Sequence, residues 1–124
     1  MELDLRFTLI TNYTIENIVK YCSDVVGNLI KFDLLLSYTS INDKFLPGLL
    51  KNLSSIESLT CRFSGTKITE RTIEFLYQVL MRRREELKHL TLSLFDTKIS
   101  QENLDKLYEK FDKSFKGTNI FLYP

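Results

Sequence analysis

The amino-acid sequence predicts an α/β fold of about four and a half strand–helix units in tandem, with a parallel sheet on one side and helices covering the other. Three observations predict it. Apolar residues alternate in three separate segments. A helical stripe follows each segment at a fixed distance. Thr and then Ile recur between strand and stripe.

In the second unit Phe32, Leu34 and Leu36 alternate, and Thr39 and Ile41 follow. The third unit repeats the pattern with Leu59, Cys61 and Phe63, then Thr66 and Ile68. The fourth has Leu90, Leu92 and Leu94, then Thr97 and Ile99. Alternation of this kind places one set of side chains on a buried face. The stripes are Leu46, Leu49, Leu50, Leu53, then Ile73, Leu76, Tyr77, Leu80, then Leu104, Leu107, Tyr108, Phe111. Their spacing of 3, 1 and 3 is that of an amphipathic helix. The gap from Leu36 to Leu46, Phe63 to Ile73 and Leu94 to Leu104 is ten each time. Short right-handed crossovers between such units make the strands parallel.

The first unit fits with Leu3, Leu5 and Phe7 as its strand and Ile18, Tyr21, Cys22 and Val25 as its stripe. Its gap is then eleven, and Ile10 stands where Thr is expected. Ile120 and Leu122 begin a fifth strand after Phe115. Starts at Leu3, Phe32, Leu59, Leu90 and Thr118 give periods of 29, 27, 31 and 28. The chain is thus read as one domain, 1–124, with repeats at 1–28, 29–55, 56–86 and 87–114 and a terminal strand at 115–124. Thr69 and Ser100 are expected helix N-caps, and Asn42 or Asp43 the cap of the second helix, with Pro47 in its first turn. Gly27 and Gly117 suit helix-to-strand turns, and the third helix is expected to run to about Arg84. The first strand begins at residue 3 and the last ends at Pro124, which leaves no room for capping repeats. One or both ends are therefore expected to pack on another protein or to continue a longer chain.

Composition excludes several function classes. The formal net charge is +1, and the basic run Arg82-Arg83-Arg84 is followed at once by Glu85-Glu86. No nucleic-acid binding is therefore expected. The start of the chain lacks the basic and apolar regions of a secretory signal, and no apolar run suits membrane insertion. Cys22 and Cys61 are read as buried, reduced thiols, which points to a reducing compartment. The single histidine, His89, is read as a surface residue in a turn. No metal-ligand spacing, phosphate loop or dinucleotide motif occurs, so no catalytic, cofactor or metal residue is assigned. The competing reading is a small α/β ligand- or nucleotide-binding protein or enzyme. It needs Gly-rich loops or carboxylates at the strand C-termini, where Thr8, Ser37, Ser64 and Phe95 stand instead.

The run of strand, Thr, Ile and helix resembles the leucine-rich repeat, and the period of about 28 is similar to its ribonuclease-inhibitor-like class. The resemblance rests on Leu34, Leu36, Thr39 and Ile41, on Cys61, Phe63, Thr66 and Ile68, and on Leu92, Leu94, Thr97 and Ile99. It covers nearly the whole chain. It implies a short horseshoe segment of a solenoid, with the parallel sheet concave and the helices convex. With the reduced thiols and the missing secretory signal, a eukaryotic, intracellular setting is expected, the cytoplasm first and a cilium or mitochondrion as alternatives. Thr39, Thr66 and Thr97 depart from the family, which usually has Asn there to bond neighbouring repeats; a hydroxyl has a single donor.

Concave rows are predicted as Asp4, Asp33, Thr60, Thr91, Asn119, then Arg6, Leu35, Arg62, Ser93, Phe121, then Thr8, Ser37, Ser64, Phe95, Tyr123. Arg and aromatic side chains dominate binding hot spots. The candidate partner-binding residues are accordingly Arg6, Leu35, Arg62, Phe95, Phe121 and Tyr123. The expected function is a non-catalytic protein–protein interaction module without a cofactor, a structural or scaffold subunit of a larger intracellular assembly. Within that class a regulatory adaptor or ubiquitin-ligase substrate reader is the alternative.

Overall fold

Each alternating segment forms a strand because its apolar residues can all face one covered side. Each stripe forms the helix that covers it. The computed structural model describes residues 1–44 and 46–123, the side chains at 19 and 21–24 excepted. The elements are β1 (Glu2–Asp4), α1 (Asn12–Gly27), β2 (Lys31–Leu35), α2 (Leu46–Leu50), β3 (Ser58–Arg62), α3 (Glu70–Met81), β4 (His89–Ser93), α4 (Gln101–Ser114) and β5 (Asn119–Tyr123). The five strands make one parallel sheet in sequential order, β1-β2-β3-β4-β5. The fold is thus α/β, as predicted.

The core lies between the helices and one face of the sheet. Phe32, Leu34, Leu36, Leu59, Cys61, Phe63, Leu90, Leu92 and Leu94 are buried there with Leu46, Leu49, Leu50, Ile73, Leu76, Leu80, Leu104, Leu107 and Phe111. Burying a side chain of this size contributes roughly 1.5–3 kcal/mol. Thr69 and Ser100 cap α3 and α4 as predicted, and Thr11 caps α1. The third helix stops earlier than expected, at Met81, with Arg82 as its C-cap. Cys61 is free and fully enclosed, and burial pushes its thiol pKa up. The side chains of Tyr21 and Cys22, and Pro124, lie outside the described residues.

Both outer strands sit two residues away from their predicted register. Leu3 pairs with Leu34, Leu34 with Cys61, Cys61 with Leu92 and Leu92 with Leu122, so the offsets are 31, 27, 31 and 30. In this register Thr8 and Ile10 are the Thr and Ile of the first unit. Leu5 precedes Ile15 by ten residues, which restores the common gap. Ile15 and Val26 are then buried, whereas Val25, expected in the stripe, is 52% exposed.

A backbone feature recurs with the Thr. Phe7, Tyr38, Gly65 and Asp96 all have positive φ, between 55° and 69°. Each directly precedes Thr8, Thr39, Thr66 or Thr97. Each Thr hydroxyl donates to the carbonyl three residues back, on Leu5, Leu36, Phe63 or Leu94, at 2.6–2.9 Å. The Thr side chains therefore close a turn within their own unit. Bonds between units here are made by the backbone: the N–H of Phe7, Tyr38 and Gly65 donates to Ser37, Ser64 and Phe95 of the next unit.

The left-handed conformation costs a residue other than Gly about 1 kcal/mol. Phe7 and Tyr38 offset part of this by stacking, with ring centroids 5.2 Å apart and planes 8° from parallel. Gly65 completes the row, because a Cβ there would lie 2.4 Å from the Tyr38 ring. Gly65→Ala is expected to cost about 2 kcal/mol, through the positive φ and the displaced ring. Adding Tyr38→Ala should recover only the second part in a urea titration; full additivity of the two losses would show that the ring contact is irrelevant.

Asp43, expected as a cap of α2, acts one unit further along. Its carboxylate accepts from the Thr69 N–H at 2.9 Å, the Thr69 hydroxyl at 2.5 Å and the Thr72 hydroxyl at 2.6 Å. It thus binds the loop before α2 to the first turn of α3. Partial burial alone would raise the Asp43 pKa, but the Thr69 and Thr72 hydrogen bonds outweigh it and hold the carboxyl below its ordinary value.

Candidate interaction surface

One sheet face is covered by helices, and the other presents the side chains between the buried strand positions. Corrected for register, its rows are Glu2, Asp33, Thr60, Thr91, Phe121 and Asp4, Leu35, Arg62, Ser93, Tyr123. A basic and polar row, Lys31, Ser58, His89 and Asn119, lies on one side of these. Arg6, Ser37, Ser64 and Phe95 continue the strands on the other side. The two-residue shift moves Asp4 and Arg6 each one row along and brings Glu2 beside Asp33. It likewise sets Phe121 beside Thr91 and Tyr123 beside Ser93.

The six candidate residues do not form one site. Arg62 and Tyr123 meet across β4, with the guanidinium carbon 5.9 Å from the ring centroid. Arg62, Leu35 and Phe121 line a shallow cavity of about 400 Å³ on this face, with Glu2, Lys31, Asp33, His89, Ser58, Thr60 and Thr91. Leu35 itself is buried, so it forms part of the floor. Arg6 stands outside the cavity, held by both oxygens of Asp4 at 2.8 and 2.9 Å. That pairing raises the Arg6 pKa and lowers that of Asp4. Phe95 is 41% exposed and also lies outside.

Comparison with models of known protein families and with curated proteins finds no match. The chemistry of the face must therefore be read from its own residues. His89 is the first residue of β4, and its Nδ1 lies 3.4 Å from the Asn119 side-chain nitrogen. Ser64 and Ser93 are buried and bond each other at 2.7 Å. Among the described residues no group of three or more His, Cys, Asp or Glu could hold a metal ion. Among them, too, no helix is long and apolar enough to cross a membrane.

Sequence reasoning placed Asp33 on this face but missed Glu2, Lys31 and His89 as residues that line the cavity with Arg62. Aligning the first unit on Thr8 and Ile10 would have set Glu2 beside Asp33. It also missed the exposed row of Phe7, 73% exposed, and Tyr38, 43% exposed. No residue type marks that row, since Phe, Tyr, Gly and Asp share only their backbone conformation.

Proposed function

We propose that this chain is a leucine-rich-repeat solenoid of the ribonuclease-inhibitor-like class, acting as a non-catalytic protein interaction module within a larger intracellular assembly. The sequential parallel sheet supports the repeat reading, together with a left-handed residue and a Thr turn after each of β1 to β4. The observation that carries the function is the helix-free sheet face. There Arg62, Phe121 and Tyr123 lie close together, with both aromatic rings about half exposed. Side chains of these types on a rigid sheet are suited to anchor a partner at low entropic cost.

Chemical cross-linking in native extract tests this, followed by reconstitution with the purified partner. The cross-links are expected to fall on β2 to β5 and to weaken when Tyr123 is replaced by alanine. A panel of nucleotides, metal ions and metabolites is expected to leave the melting temperature unchanged. A saturable thermal shift with one of them would replace this reading by that of a small-ligand-binding protein.

A further inference from the structure

We infer that the sheet face takes a protein segment carrying one basic and one acidic side chain about 10 Å apart, the base seated at Glu2 and Asp33 and the acid at Arg62. The inference rests on the interaction reading above and specifies its partner. The first argument is register. Glu2 and Asp33 are directly opposed on neighbouring strands, and like charges so placed repel. The next residue in their row is Thr60. The nearest cation of the sheet, Lys31, stands two residues before Asp33 on the same strand and lines the same cavity, but forms no ion pair with either carboxylate.

The second argument is the distribution of ion pairs. Among the described residues the pairs are Arg6–Asp4, Arg84–Glu85, Lys88–Glu57, Lys106–Glu102 and Lys113–Glu109. None involves a group lining the 400 Å³ cavity, although Glu2, Asp33, Lys31 and Arg62 all line it. Pairs between near neighbours form within α4 and, between Asp4 and Arg6, at the edge of this same face, but not among the groups of the cavity. Here Arg62 is instead turned toward the ring of Tyr123, two strands away, with its guanidinium carbon 5.9 Å from the ring centroid, and forms no ion pair with a described carboxylate.

The two charge sites are therefore separated across the sheet. Strands are spaced about 4.8 Å apart, so a point between β1 and β2 lies about 10 Å from a guanidinium leaning beyond β3. Leu35 forms an apolar floor between them and Phe121 an apolar wall. A polyanion such as RNA fits poorly, because Glu2 and Asp33 would repel its phosphates.

The test uses capped, alanine-rich helical peptides with Lys and Glu seven positions apart, a spacing of about 10 Å. Controls of equal length carry two Lys, two Glu, or neither. Backbone amide shifts of the full chain are followed by NMR. The mixed peptide is expected to shift residues of β2 to β4 and to bind more tightly than each control. Asp33→Asn and Arg62→Gln are each expected to weaken it about five- to tenfold. The effect of Asp33→Asn should vanish for a peptide lacking Lys. No shift on this face, equal binding by a control peptide or an RNA oligonucleotide, or indifference to both substitutions would overturn the inference. A reconstituted natural partner insensitive to both substitutions would overturn it while leaving the interaction reading intact.

Discussion

Replacing Phe63 by alanine is expected to lower the unfolding free energy by about 4 kcal/mol, the range for a fully buried aromatic ring. Phe63 has no exposed surface and lies between Leu36 and Leu94, which are equally enclosed. The backbone ties the three positions to adjacent strands: Leu36 donates to Arg62, Phe63 to Ser93 and Leu94 to Tyr123. Losing the ring leaves a void against two units at once, and neither strand can move inward without breaking its ladder. Phe95→Ala is the control, expected within about 0.5 kcal/mol of the parent because the ring is partly in water. Chemical denaturation of both variants decides the matter. Comparable losses would mean that the column does not hold the sheet to its helices.

The inner strands were legible because three signals agree there. Leu34, Leu36, Thr39 and Ile41 fix the second unit by alternation, turn and gap together, and β2, β3 and β4 pair in the expected register. At the outer strands alternation stood nearly alone. A period of two distinguishes inside from outside, but it is unchanged by a slip of two residues. Phe7 continued the alternation of Leu3 and Leu5, yet its positive φ and stacking on Tyr38 place it beyond the strand. At the other end Thr118 was counted as strand. Its hydroxyl donates to Leu87 and its N–H to Phe115, so it belongs to the turn before β5.

The same slip explains what was legible of the candidate surface. Inside–outside parity was right for Arg62, Phe121 and Tyr123, so their exposure on one face was foreseen. The neighbours of Arg62, Leu35 and Ser93, were foreseen too, whereas those of Phe121 and Tyr123 were not, since adjacency across a sheet depends on register. Glu2 was absent from the predicted rows, and Asp4 stood in its place beside Asp33. Moving the strand by two residues exchanges a carboxylate already paired with Arg6 for one that forms no ion pair with a described residue.

Asp43→Ala is expected to cost about 3 kcal/mol near neutral pH, a large effect for a residue outside the apolar core. The carboxylate accepts three hydrogen bonds, and one donor, the Thr72 hydroxyl, sits on a side chain with no exposed surface. Removing the acceptor strands that hydroxyl and frees Thr69, which also caps α3 through the Arg71 N–H. The loop before α2 and the start of α3 would loosen together. The pH dependence gives the interaction a signature of its own. Since the folded-state pKa of Asp43 is depressed, the unfolded chain takes up its proton first as pH falls. The contribution is therefore complete above the unfolded value of about 3.9 and disappears as pH drops through the lower folded one. Denaturation of parent and variant between pH 7 and pH 2 should show a gap that is constant above about pH 5 and narrows below about pH 4. Parallel curves across that range would mean that the Asp43 charge does not hold the Thr69–Thr72 turn.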